Sequence, residues 1–264
     1  ILADVLSRIN KIQKNDVFFL TGTDEHGQKV QEAAEKRKVD PKDHVNEYVK
    51  HFKKTWEKLD IDYNYFIRTT DKNHIAIVKK ILSDLYESGD IYFDEYEGLY
   101  SVSEERFITE KEKEEGSFRE IKKIKEKNYF FKMSKYQDKL IKHIKSNENF
   151  ILPKSRRNEI LGFLNNDLND LCISRPKSRL SWGIELPFDK DYVTYVWFDA
   201  LINYISAIGY NNDNNTFNQY WPADFHLMAK DILTTHCVYW PTMLMACNIN
   251  LPNTIFAHGW WLFD

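Results

Sequence analysis

The sequence is poor in cysteine and has no long uninterrupted apolar run. Its 264 residues include three cysteines, Cys172, Cys237 and Cys247, and no two of them form a C-x-x-C pair. An odd, scattered set argues against a disulfide framework or a cysteine zinc knuckle and favours a reducing compartment. No apolar run reaches the ~20 residues that a membrane-spanning helix requires. We therefore expect a cytoplasmic protein with no membrane partner.

The chain also lacks a strong charge of either sign. Its net charge is -3 at pH 7, which argues against bulk binding of nucleic acid. Between Lys111 and Lys145, however, twelve Lys or Arg residues stand against six Asp or Glu. This segment either meets phosphates or forms the solvated face of a helix, and the sequence leaves both interpretations open.

Apolar and aromatic residues are plentiful, and their spacing predicts alternating helices and strands. Hydrophobic residues make up 42% of the chain, which is enough for one large or two modest domains. Residues 1–12 have helical spacing, 16–20 read as a buried strand, and 21–27 read as the loop that follows it. Helices are predicted from Asp40–Pro41 onward and over 72–87. This order indicates an α/β layer.

After residue 90 the pattern changes to short strand-like pieces at 91–93 and 99–102, which predict an insertion with its own small core. A helix is predicted over 156–168. Residues 171–174 read as a strand that returns to the main sheet, and further strands are predicted at 225–228 and 254–259. The insertion therefore interrupts a single α/β layer.

The run from Val193 to Tyr204 is the centre of this pattern, because an apolar β-rich stretch turns there directly into a helix. In a parallel α/β sheet, small molecules bind just beyond the carboxyl ends of the strands. Trp197 and Tyr204 lie at that edge and suit a mostly apolar ligand with one polar point. Each ring taken alone is more typical of a packed core.

The loop after the first strand holds the other candidate chemistry. Gly22 and Gly27 have the spacing of a phosphate-binding loop, but Gln28 stands where its lysine is required, which excludes that motif. Asp24 and His26 lack a third ligand for a metal site, so we predict none. Asp24 fits better as the partner of a ligand ammonium group.

Six blocks of sequence, taken together and in order, resemble the methionyl-tRNA synthetase family. They are VFFLTGTDEHG (17–27), FIRTT (66–70), WGIELP (182–187), YVWFDALINY (195–204), YWPADFHLMAKD (220–231) and FAHG (256–259). The resemblance implies a Rossmann-like parallel sheet of the class I synthetase type, interrupted by a connective-peptide insertion. The expected division is 1–90 and 176–264 for the Rossmann catalytic domain and 91–175 for the insertion.

The resemblance also implies roles for particular residues. Asp24 would bind the α-ammonium group of methionine, and the Tyr204 hydroxyl would donate to its thioether, which is a weak acceptor. Acidic Glu185 and Asp231 would hold the ATP ribose, and Ala229 stands beside them where a glycine is usual. The expected side-chain pocket consists of Trp197, Ala200, Leu201, Tyr204, Ile232, His236 and Trp240. From the residues alone, a histidine four positions before a tryptophan is more typical of packing.

The implied reaction is activation of methionine by ATP, with Mg²⁺, followed by transfer to tRNA(Met). The HIGH-type and KMSKS-type motifs of class I enzymes are not found, so we expect a fragment that binds methionine weakly and turns over little ATP. Lys132–Tyr136 (KMSKY) lies inside the insertion and is interpreted as a decoy. Ser101 and its neighbours replace zinc cysteines, which implies a version without structural zinc.

Two other functions stay open at this point. A non-catalytic protein could use the same domain to sense methionine or to join a tRNA-processing assembly. A synthetase for another apolar amino acid is the narrower alternative, and the Tyr204 position would separate it from the first reading.

Overall fold

The computed structural model describes residues 1–101, 106–108, 113 and 120–260. The helices are α1 Leu2–Ile12, α2 Gln28–Arg37, α3 Pro41–Lys58, α4 Lys72–Glu87, α5 Gln137–Ser146, α6 Lys154–Phe163, α7 Val196–Leu201, α8 Asn203–Ser206, α9 Asn214–Tyr220 and α10 Trp240–Ala246. The strands are β1 Leu20–Thr23, β2 Tyr65–Arg68, β3 Ile91–Ser101, β4 Arg106–Ile108, β5 Ile121–Phe131, β6 Ile151–Leu152, β7 Leu171–Cys172, β8 Ser174–Pro176, β9 Glu185–Leu186, β10 Asp189–Thr194, β11 Phe225–Ala229 and β12 Thr254–His258.

Two parallel sheets form the α/β body. Strands β1 and β2 pair in one of them, and β11, β12 and β6 pair in that order in the other. The expected mixed α/β fold with parallel sheets is therefore present. Strand β6 belongs to the second sheet through Ile151 opposite Ile255, although its residues lie inside the range 91–175.

The first predicted strand was placed too early in the sequence. The extended pairing covers Leu20–Thr23, and residues 17–19 precede it as half-buried chain. The register is fixed by the close approach of Gly22 to β2, because a Cβ atom at Gly22 would meet the Ile67 carbonyl oxygen. Strand pairing, which the apolar run does not reveal, therefore decides the bounds of the strand.

The range predicted to be an insertion contains an antiparallel sheet in the order β4, β3, β5, β7. The prediction of two short strands at 91–93 and 99–102 was wrong, because β3 is one strand paired with β5 along its whole length. Residue 102 lies outside the described residues. Leu171 and Cys172 pair with Phe131 and Phe130 of β5, so this strand does not return to the main sheet as expected.

The central run is also arranged differently from the expectation. Strand β10 is antiparallel to both β8 and β9, so it is not a strand of a parallel sheet. The following turn into helix α7 is confirmed, since Val196 begins the helix directly after β10. The ligand-binding edge predicted here must therefore be judged from the cavity itself.

The helices cover the sheets with apolar faces. Helix α4 has the predicted bounds and buries Ile77, Val78 and Leu82 completely or almost so. Helix α3 begins at the predicted cap, where Asp40 accepts from the Lys42 amide. Its apolar residues are only partly inward, because Val45 and Val49 are buried whereas Tyr48 is exposed. Within the described part of the chain, none of the helices combines the length and apolarity needed to cross a membrane.

The KMSKY segment joins the insertion to the body. The Lys135 ammonium lies 2.6 Å from the buried Asp90 carboxylate, and the Ser134 hydroxyl donates to Asp170 at 2.6 Å. These contacts give the segment a structural role at the base of β5. The basic segment 111–145 includes strand β5 as well as helix α5, and residues 111–112 and 114–119 of it lie outside the described residues.

Candidate functional site

The loop after β1 points three successive side chains in three directions. Asp24 lines a large cavity. Glu25 turns away from it and is buried against β2, and His26 is buried against helix α7. Because Glu25 and His26, the two residues that follow Asp24, are both anchored, the position of Asp24 is fixed by the loop as a whole.

Glu25 is anchored by an ion pair with Arg68 at the end of β2. The guanidinium binds both carboxylate oxygens, at 2.7 Å and 3.0 Å, a geometry that adds direction to the charge attraction. The hydroxyls of Thr23 and Thr70 also donate to this carboxylate. The Glu25 amide donates to the Thr69 hydroxyl at 2.9 Å. The FIRTT block therefore acts as a clamp on the loop.

Trp182 closes the loop from the other side. Its indole N–H donates to the Glu25 carbonyl at 2.6 Å, and its own carbonyl accepts from the Gly27 amide at 3.2 Å. Gly27 has a φ of 107°, a left-handed conformation that favours glycine and turns the chain into helix α2. The WGIELP block thus also holds this loop in place.

The cavity that Asp24 faces has a volume of about 1130 Å³. It is lined by β1 and β11 on two sides, by α1 and by the helices α7 and α8. Of the residues expected in the site, the following line it: Asp24, Trp197, Ala200, Leu201, Tyr204, Ile232 and His236. A cavity of this size holds a small ligand with room for a second group.

Asp24 has an exposed surface that faces the cavity, but the surrounding protein removes much of the water from its carboxylate. This dehydration, together with the nearby charge of Asp199, raises the pKa of Asp24 to about 6. The carboxylate is therefore charged at neutral pH and has no cationic side chain within ion-pairing distance in the described part of the chain. It is suited to bind a cation that a ligand brings.

The far wall of the cavity is formed by a hydrogen-bonded pair, Tyr204 and His236. His236 Nδ1 lies 3.0 Å from the Ile232 carbonyl oxygen, which can only accept, so Nδ1 carries the proton. Burial lowers the pKa of His236 to about 4, so the ring is neutral and Nε2 is an acceptor. The Tyr204 hydroxyl at 2.8 Å therefore donates to Nε2.

His226 and Trp240 pack against Tyr204 in this wall. The His226 ring stacks on Tyr204 with centroids 4.1 Å apart, and its Nε2 accepts from the Trp240 indole at 3.1 Å. Burial, with the nearby His236, lowers the pKa of His226 to about 3, which keeps this ring neutral too. The wall is thus uncharged and aromatic, with its polar atoms already paired.

A sequence model of one family matches nearly the whole chain. The family described as tRNA synthetases class I (M) matches residues 1–118 and 116–264. The chain belongs to the class I methionyl-tRNA synthetases.

Curated relatives agree with this assignment. The methionine–tRNA ligase of Clostridium tetani is 50% identical over 270 residues, and that of Bacillus subtilis is 42% identical over 279 residues. The chain spans 42% of the length of each of these ligases and is covered almost completely by them.

Solved structures of the synthetase family have the same fold. The methionyl-tRNA synthetase of Mycobacterium tuberculosis bound by methionyl-adenylate matches with a TM-score of 0.92 and 41% identity. The free form of the same enzyme matches with a TM-score of 0.80 and 40% identity. Each match covers 97% of this chain, and 52% and 51% of the respective crystallised chain.

The synthetase residues expected to bind ATP are not gathered around the cavity. Glu185 lies on β9 and pairs with Lys177 at 2.5 Å. Ala229 ends β11, and Asp231 follows it as an exposed residue at the carboxyl end of this parallel strand. Trp240, expected in the methionine pocket, does not line the cavity and acts through its contacts with Tyr204 and His226.

Several synthetase residues at the site were not singled out by the sequence. His226 and Trp221 line the cavity, and Arg68 and Glu25 hold the loop. All four stand inside the family blocks, so the signal was present, but each is a common residue type with no distinctive spacing. Only the fold brings them to one place.

Proposed function

We propose that the protein is a methionyl-tRNA synthetase, which activates methionine with ATP and transfers it to tRNA(Met). One observation carries the proposal: Asp24 and the Tyr204–His236 pair, far apart in sequence, line a single cavity. The charged carboxylate suits the ammonium group of an amino acid. The neutral aromatic wall suits a side chain that carries a thioether. The curated relatives are named as ligases, and nothing among them favours a methionine-sensing protein.

In the proposed reaction, Asp24 binds the α-ammonium group and leaves the methionine carboxylate free. Trp197, Ala200 and Leu201 of α7 enclose the side chain and exclude water. The free carboxylate then attacks the α-phosphorus of ATP in line, and pyrophosphate leaves. Positioning of this kind accounts for a large part of catalysis in such transfers. The methionyl group next passes from the adenylate to a hydroxyl of the terminal ribose of the tRNA, and AMP leaves.

Glu185, Ala229 and Asp231 are proposed to contact the ATP ribose, since Asp231 lies at the carboxyl end of a parallel strand. No set of three His, Cys, Asp or Glu among residues 1–101, 106–108, 113 and 120–260 could hold a metal ion. Mg²⁺ is therefore expected to bind together with ATP, held largely by the phosphate oxygens. The absence of structural zinc at Ser101 also remains a prediction. Such an enzyme is expected in the cytoplasm, where translation takes place.

The direct test is ATP–pyrophosphate exchange by the intact protein in the presence of methionine. Exchange that depends on methionine, and that leucine does not support, is the expected result. Exchange that proceeds equally with leucine would favour a synthetase for another apolar amino acid. Methionine binding with no exchange, in a protein as long as the ligases that match this chain, would instead favour a protein that only senses methionine.

Methionine affinity is expected to depend on pH through Asp24. Its pKa is raised to about 6, so the carboxylate is charged above this pH and is neutralised as the pH falls through it. Binding should be constant above about pH 7 and weaken by up to about tenfold per unit below pH 6. Calorimetric titration between pH 5 and 8 measures this. This loss of affinity at low pH, the acid limb of methionine binding, should be absent for the deaminated analogue 4-(methylthio)butanoic acid, which has no ammonium group.

Replacing Tyr204 by phenylalanine tests the expected hydrogen bond to the thioether. The hydroxyl donates to His236 in this structure, so a bond to sulfur requires the Tyr204–His236 pair to rearrange. If it does, Tyr204→Phe should weaken methionine binding by about tenfold and norleucine binding by less, since norleucine has no acceptor. Competition binding with both amino acids measures the difference. An equal loss for both would contradict the thioether contact.

A further inference from the structure

A buried chain of polar groups runs behind Asp24. Asp199 is completely buried and accepts from two imidazoles on opposite oxygens. His26 Nδ1 lies 2.8 Å from Oδ2, and His74 Nε2 lies 3.4 Å from Oδ1. His74 Nδ1 is in turn 2.8 Å from the Ser206 hydroxyl. Four separate elements, the loop after β1 and the helices α4, α7 and α8, are joined through Asp199 and His74.

The position of Asp199 on α7 gives this chain a link to both ends of the ligand. Trp197 and Ala200, its near neighbours on the helix, line the cavity, whereas Asp199 itself does not. His26, the partner of Asp199, is two residues from Asp24. The wall that encloses the amino acid side chain and the loop that carries the ammonium partner are therefore connected through the Asp199–His26 hydrogen bond.

We propose that Asp199, held between His26 and His74, is a positioning residue that sets both the place and the charge of Asp24. This proposal rests on the proposed function, in which Asp24 binds the methionine ammonium group. Asp199 touches neither substrate, and it acts by holding the loop of Asp24 against helix α7. Its negative charge also lies near that of Asp24, while the two imidazoles partly offset it.

The titratable groups around Asp24 come from helices α4, α7 and α8 and from its own loop. They are Asp199 on α7, His74 on α4, Tyr204 on α8, and Glu25 and His26 on the loop itself. Asp199 and Glu25 raise the pKa of Asp24, and the two histidines lower it. Burial lowers the pKa of His26, but Asp199, through its charge and hydrogen bond, reverses this, so the His26 pKa lies above its ordinary value of 6.5. In the His26–Asp199 pair, the Nδ1–H group of His26 on the loop donates to Asp199 on helix α7.

The experiment compares Asp199→Asn with His26→Asn in the intact protein. An asparagine at 199 has one accepting oxygen, so it cannot hold both imidazoles, and it removes the negative charge. An asparagine at 26 places an amide N–H where Nδ1 donates and removes only the positive charge. The acid limb of methionine binding should move to lower pH in Asp199→Asn and to higher pH in His26→Asn, each by about half a unit or more.

Kinetic measurements distinguish misplacement of Asp24 from a general loss of structure. At pH 8, where Asp24 is charged, Asp199→Asn should raise the KM for methionine by about tenfold or more through misplacement of Asp24, with the KM for ATP unchanged. His26→Asn, which keeps the hydrogen bond, should retain most of the affinity at that pH. Asp62→Asn and His51→Asn, exposed residues outside the site, are the matched controls and should change neither the limb nor either KM.

A measurement without substitution completes the test. The ring nitrogen shifts of His26, followed by NMR in the unsubstituted protein, should titrate with a midpoint above 6.5. A midpoint at or below this value, or acid limbs that stay in place or move in the same direction in the two variants, would overturn the positioning role. Failure of the unsubstituted protein to bind methionine would instead refute the proposed function itself.

Discussion

Replacing Asp24 by asparagine is expected to weaken methionine binding by about 100- to 1000-fold, or about 3–4 kcal/mol. The substitution keeps the shape of the side chain and removes the negative charge that is proposed to pair with the ammonium group. In the described part of the chain, the carboxylates of Asp199 and Glu25 near Asp24 are engaged with His26 and Arg68, so neither can take over its role. Calorimetric titration at pH 7.5 measures the loss.

The matched control for this variant is Asp224→Asn. Asp224 lines the same cavity but accepts from Asn253 at 3.2 Å near the start of β11. Its substitution should leave methionine affinity within about twofold, a change of less than ~0.5 kcal/mol. A similar loss in both variants would mean that the general negative potential of the cavity, and not a specific ion pair at Asp24, attracts the ligand.

Replacing Arg68 by methionine should destabilise the protein by about 3 kcal/mol. The Glu25 carboxylate is almost fully buried, and without the guanidinium it would remain as an unpaired charge beside two threonine hydroxyls. A loss of this size lowers the melting temperature by about 8 °C in a chain of this length. Thermal unfolding followed by circular dichroism measures it.

A second ion pair provides the comparison. Arg37 and Glu47 are 2.6 Å apart but both are well exposed, so Arg37→Met should lower the melting temperature much less than Arg68→Met does. Combining Arg68→Met with Glu25→Gln removes the buried charge as well and should recover part of the lost stability. An equal melting temperature for Arg68→Met and Arg37→Met would show that the Glu25–Arg68 pair does not hold the loop.

The sequence predicted the long helices well, because a periodic apolar face is a local property. Helix α4 has the expected bounds, and α3 begins at the expected cap. The sheets were predicted less well. The apolar run before α7 has the composition of a parallel strand, yet β10 is antiparallel, since the choice of partner depends on residues 174–176 and 185–186. Pairing between distant segments has no local signature.

The site shows the same division. Asp24, Tyr204 and His236 were named from the family resemblance, and the fold brings them to one cavity. The hydrogen bond that occupies the Tyr204 hydroxyl was not foreseen, because it follows from the tautomer that the Ile232 carbonyl imposes on His236. A buried Asp199 between two histidines was likewise invisible in a sequence that places them at 26, 74 and 199.

The anchoring of residues 24, 25 and 26 in one loop would separate two tasks: recognition of the part that every amino acid shares, and recognition of the side chain that distinguishes one amino acid from another. In the proposed function, the anchored loop binds the ammonium group that every amino acid carries, whereas the wall of Tyr204 and His236 contacts only the side chain. Attempts to recruit unnatural amino acids should therefore diversify the wall and leave the loop untouched. A library that varied the loop would lose substrates of every kind together.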